Sequence, residues 1–143
     1  MGQAALSLAS SVLGGLLVLA GQFVTRRAED RRQWRIRLHE AAADLATSYS
    51  QERARLQLDR RRGASGSTID EKTFAVDRQR ALARFRTLPG GSEFEPEIAG
   101  MAQTIEALWA AWDASDDQFD EARENASVAV RGFAERVRSY LAE

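Results

Sequence analysis

The chain has no cysteine, a single histidine and, among its 20 basic residues, a single lysine, Lys72. Without cysteine there is no disulfide framework, no thiolate nucleophile and no sulfur-ligated metal. With His39 as the only imidazole, a zinc site would have to be all carboxylate or shared between subunits, and both are poor zinc chemistry. Glu40 is adjacent to His39 and Asp44 lies five residues on, so neither shares its helix face. His39 therefore reads as a surface or packing residue. β-Branched residues are sparse and never alternate, so no strand is expected. No glycine loop precedes a lysine, and no serine stands on a nucleophile elbow. Kinase, hydrolase and nucleotide-binding chemistry lack their parts. The reading is of a protein that is not an enzyme, with no cofactor, no metal and no small-molecule substrate. Arginine in place of lysine, with abundant alanine, is the composition of a GC-rich bacterial genome.

Charge is also missing from the first residues. Gln3 to Thr25 carries none, and Arg26, Arg27, Arg31, Arg32, Arg35 and Arg37 come directly after it. As a helix the stretch would rise roughly 33 Å, against a hydrocarbon core of about 30 Å. Its centre is apolar from Val12 to Val24, although Ser7, Ser10 and Ser11 dilute the first half. The expectation is a transmembrane helix over residues 4–25, with the amino terminus outside and the rest in the cytoplasm of a cell membrane. A cleaved signal peptide is the rival, but the positive charge comes after the apolar run instead of preceding it. Gln22 stands where a lipoprotein needs cysteine, and Leu6 stands where myristoylation wants Ser or Thr. Ser7, Ser11, Gly14 and Gly21 form a small-residue face on which two membrane helices could pack. Arg26, Arg27, Arg31 and Arg32 are placed to meet anionic lipid.

The net charge of −1 hides a split along the chain. Residues 26–62 hold 11 basic and 6 acidic side chains, whereas residues 93–143 hold 4 basic and 12 acidic ones. Acids interleave with the basic stretch at Glu29, Asp30, Glu40 and Asp44, which argues against nucleic acid. The acidic end could pack on the basic helix within one chain or between chains.

Three punctuation points divide the chain beyond the basic cluster: Arg60 to Thr68 with Gly63 and Gly66, Leu88-Pro89-Gly90-Gly91-Ser92, and a subtler one near Asp113 to Gln118. Residues 26–62 are expected to form a juxtamembrane basic region and a long amphipathic helix. Its stripe is Trp34, Leu38, Ala41, Leu45, Tyr49 and Leu56, with Glu52 breaking it. Thr68 with Glu71 resembles a capping box, and a second helix over 68–88 carries Phe74, Ala81 or Leu82, Phe85 and Leu88. Pro96 suits the first turn of an acidic helical region over 96–141. Its stripe runs Ile98, Met101, Ile105, Leu108, Trp109 and Trp112, then Phe119, Ala122, Ala126, Ala129 or Val130, Phe133, Val137 and Tyr140. Ser115 with Gln118 resembles another capping box, so this region is either one helix or two meeting near 115. The fold class is all-α: a single amino-terminal transmembrane helix followed by a small cytoplasmic helical bundle or a long helical hairpin.

Trp109, Trp112, Asp116 and Asp117 are the candidate interaction surface, because Trp is enriched at binding hot spots and acids collect here. Both tryptophans read first as bundle core, with an exposed recognition patch as the alternative. The acids Asp113, Asp116, Asp117, Asp120, Glu121 and Glu124 read as a solvated helix start or as a docking face for a basic partner. They lack the glycine and terminal bidentate acid of a calcium loop. The functional expectation is a bitopic membrane protein whose cytoplasmic module binds protein, as tether or accessory subunit of a membrane assembly. Its partners would be the lipid bilayer and either a second copy or a membrane protein. Alternatives are a self-associating scaffold at the membrane and a pore-forming protein.

Overall fold

The computed structural model describes residues 2–64 and 71–143, with side chains described over 21–64 and 74–143. It is an all-α fold of four helices: α1 (Gly2–Arg61), α2 (Glu71–Arg86), α3 (Glu95–Ala110) and α4 (Asp116–Ala142). A short 3-10 helix, Gly91–Phe94, leads into α3. Thr68, half of the expected capping box before α2, lies outside the described residues.

Among the described residues, no helix is long and apolar enough to cross a membrane. This overturns the transmembrane helix expected over 4–25. With it go the bilayer and membrane-protein partners, the single-pass topology, and the tether, membrane scaffold and pore readings. The reason is visible in α1: from Gly21, five uncharged residues precede Arg26, and Arg27, Glu29, Asp30, Arg31 and Arg32 then come in the same helix. The side chains of Ser7, Ser11 and Gly14 lie outside the described residues.

The chain divides into two compact units, Met1–Ile36 and Arg37–Glu143. In the first, residues 21–36 of α1 are exposed apart from half-buried Trp34. The second is a helical bundle. There the three-and-four periodicity of α1 buries Leu38, Ala41, Ala42, Leu45, Tyr49 and Leu56. The matching faces are Phe85 of α2, Ile98, Met101, Ile105 and Leu108 of α3, and Phe119, Ala126, Phe133 and Val137 of α4. Each fully buried Leu, Ile or Phe contributes about 1.5–3 kcal/mol through apolar area removed from water.

One end of the bundle is aromatic. Phe85, Phe94 and Phe133 meet edge to face at centroid separations of 5.7, 5.5 and 6.1 Å, and Tyr140 adds a fourth ring 5.2 Å from Phe94. The turn after α2 makes room for it. Gly90 has φ +82°, and a Cβ there would lie 2.8 Å from Tyr140 Oη. A Cβ on Gly91 would collide with the Phe85 carbonyl oxygen, so the chain passes only because that residue is glycine.

α3 and α4 are separate helices joined at residues 111–115. Ser115 accepts from the Gln118 backbone N–H, and the Gln118 side chain reaches back to the Ser115 backbone, forming a capping box. Asp116 and Asp117 occupy the first turn of α4, where the helix dipole favours negative charge.

Candidate interaction surface at the helix corner

The corner between α3 and α4 is held by α1. Arg60, in the last turn of α1, donates through Nη1 to the Ala111 carbonyl at 3.1 Å and to the Trp112 carbonyl. Through Nη2 it donates to the Ala114 carbonyl at 2.8 Å and to Asp116 Oδ1 at 2.9 Å. Its guanidinium also lies 4.4 Å from the centroid of the Phe119 ring. Five N–H groups in a rigid fork allow one side chain to satisfy several carbonyls that a helix end leaves open. The positive charge also complements the carboxyl end of the α3 dipole.

Beside this contact lies a cleft of about 360 Å³, lined by Gln57, Arg60, Arg61, Asp116, Phe119 and Asp120. Its α1 wall is cationic and its α4 wall is anionic, with a buried aromatic ring between them. Arg60 is spent on the corner, and Asp120 is 3.2 Å from Arg123 Nε. Arg61 and Asp117 are exposed and have no ion pair among the described residues. Asp113, in the corner itself, is likewise exposed and in no ion pair among the described residues, so all three are charges open to a partner.

The predicted site residues divide here. Trp112 is half-buried with its ring 6.2 Å from Phe119, edge to face, and does not line the cleft. Asp116 stands at the cleft wall, and Asp117 comes next on the surface. Trp109 points elsewhere: its indole N–H donates to Glu52 Oε1 at 2.7 Å. Gly21 is exposed, and nothing lies within 4 Å of a Cβ built there. Arg26, Arg27, Arg31 and Arg32 are exposed on α1, and their lipid role falls with the span.

Glu52, the expected interruption of the α1 stripe, is fully buried within that stripe. Arg78 Nη1 donates to its two oxygens at 2.9 and 2.7 Å, so with Trp109 the carboxylate accepts three hydrogen bonds. The signal that could reveal it is register: position 52 is three past Tyr49 and four before Leu56. Arg78 also lies 5.5 Å from the Tyr49 ring centroid. Burial pushes the Tyr49 hydroxyl above its ordinary range, with Arg78 opposing the shift. On the surface, the hydrogen-bonded pair Arg86–Glu95 raises the arginine and lowers the carboxyl. These charges tie helices together: Glu52 and Arg78 join α1 to α2, and Arg84 with Asp44 does the same at 2.7 Å.

Among the described residues no three His, Cys, Asp or Glu side chains come together as a metal site. His39 is exposed beside an alanine-lined groove between α1 and α4. No protein-family model, no curated protein and no solved structure matches this chain.

Proposed function

We propose that the bundle formed by residues 37–143 is a protein-binding module without catalytic activity, and that it binds at the α3–α4 corner. The observation that carries this reading is the two-sided cleft over Phe119, with Arg61 on one wall and Asp116 and Asp120 on the other. Its occupant is a segment of another protein carrying an acidic and a basic side chain about one cleft width apart. The acid pairs with Arg61 on the cationic wall, and the base with Asp117, which lies on the surface next to the anionic wall. Arg60 keeps the walls in place through four acceptors, so little ordering remains to be done on binding. Arginine beside aromatic rings is the composition enriched at binding hot spots.

The non-catalytic half of the reading rests on how the polar groups are used. Glu52, Arg78 and Arg60 are consumed by contacts inside the bundle. His39 is exposed beside a groove, but Arg138 is the only other ionisable side chain lining it, so no acid–base pair faces that groove.

A photo-crosslinking residue at Gln57, compared with one at the exposed Glu135, tests the site in living cells. The partner trapped from Gln57 is then purified and its affinity measured against Arg61→Glu and Asp117→Arg. Each reversal is expected to weaken binding by about tenfold or more. Equal trapping from both positions, or affinities unchanged by both reversals, would refute the assignment.

A further inference from the structure

The nine ion pairs found among the described residues use arginines between positions 55 and 136. Arg26, Arg27, Arg31, Arg32 and Arg35, all exposed in the first unit, take part in none of them. Their arrangement on α1 is ordered. At about 100° per residue, Arg27, Arg31, Val24, Arg35, Ala28, Gly21 and Arg32 share an arc of roughly 140°. Glu29 and Asp30 fall outside that arc. Val24 is 69% exposed within it, and a shallow hollow runs along the line from Val24 to Arg35.

We propose that this arc docks an acidic amphipathic helix of another protein. Arg27 with Arg31, and Arg31 with Arg35, are like-charge neighbours four apart, an arrangement that weakens an isolated helix and is relieved by an anionic partner. Gly21, Val24, Ala28, Arg31 and Arg35 keep three-and-four spacing, the seam of a helix pair. Arg27 and Arg32 then fall at the two flanking positions, where the partner helix presents carboxylates. Glu on the partner's flanks and at its seam beside Arg31 and Arg35 meets the guanidiniums. Small apolar residues at the remaining seam positions meet Gly21, Val24 and Ala28. A nucleic-acid duplex would meet the arginines but offers no apolar line to the small residues between them. This surface shares no residue with the corner cleft, so either assignment can fail alone.

The test uses the full chain and a labelled three-heptad peptide with Glu at seam and flanking positions and Ala and Leu elsewhere in its seam. A scrambled peptide of equal composition and a short DNA duplex are the comparisons. Binding measured by fluorescence anisotropy is expected to favour the helical peptide over both by about fivefold or more. Arg31→Glu with Arg35→Glu is expected to reduce that binding about tenfold, and a peptide with Lys in place of Glu only at the seam positions facing residues 31 and 35, its flanking Glu kept for Arg27 and Arg32, is expected to restore it on the double variant. The rescue separates a lost contact from a damaged helix. Equal binding of the scrambled peptide or the duplex would overturn the proposal, as would failure of the Lys peptide to rescue.

Discussion

Arg78 reaches from α2 to place one guanidinium nitrogen 2.9 and 2.7 Å from the two carboxylate oxygens of Glu52, which is fully buried on α1. A buried ion pair of this kind loses much of its Coulombic gain to desolvation, but removing one partner strands the other. Arg78→Ala is expected to destabilise the bundle by about 3–5 kcal/mol in urea unfolding. Replacing both residues with Met should recover part of that loss, since the Trp109 indole N–H then loses its acceptor as well. A double variant no more stable than Arg78→Ala would mean that the pair acts by another route.

The Gly90-Gly91 turn makes a graded prediction. Gly91→Ala meets rigid backbone at Phe85, whereas Gly90→Ala meets the tip of the Tyr140 side chain and a left-handed φ. Gly90→Ala should cost about 1–2 kcal/mol. Gly91→Ala should cost about 2–4 kcal/mol because backbone must move. Thermal unfolding of the two variants ranks them, and the reverse order would contradict the geometry.

Arg60 is expected to matter more than a surface arginine. Arg60→Ala leaves the carbonyls of residues 111, 112 and 114 without their shared donor. The cost should be about 2–4 kcal/mol, and Arg60→Lys should fall between because an ammonium cannot span the same acceptors. Arg62→Ala, at an exposed arginine in no ion pair among the described residues, is the comparison. Equal effects at 62 and 60 would refute the corner role.

Tyr49 gives a pH dependence whose sign is fixed. Its folded-state pKa is raised by burial, so its contribution to stability is complete below the unfolded value of about 10. That contribution is lost as pH rises through the folded value. Tyr140 is raised in the same direction by its desolvation and by Glu93. Tyr49→Phe should therefore flatten the alkaline fall in stability, and adding Tyr140→Phe should flatten it further. An alkaline limb unchanged in the double variant would contradict both shifts.

Much of the bundle is legible in the sequence because its signals are local. The stripe from Leu38 to Leu56, the α3 run from Ile98 to Leu108 and the Ser115–Gln118 cap each depend on residues three or four apart. Glu52 misleads because a carboxylate on an apolar stripe looks like an interruption unless its partners, 26 and 57 residues away, are known. Arg60 is hidden for the same reason, since its acceptors lie more than 50 residues further on. Gly91 resembles a linker glycine, although its close approach to Phe85 depends on where the α2 end and the turn meet. The amino-terminal apolar run misleads in the opposite direction. A pattern of uncharged residues before arginines suggests a bilayer, while the described part of that helix is charged and exposed from Arg26 onward.

Hydrogen–deuterium exchange of the chain, alone and with the partner trapped from Gln57, tests the corner most directly. Slowed exchange at residues 57–61 and 116–121, with α2 unchanged, is the expected result. Slowing confined to other segments, with both of these stretches exchanging as in the free chain, would contradict the account.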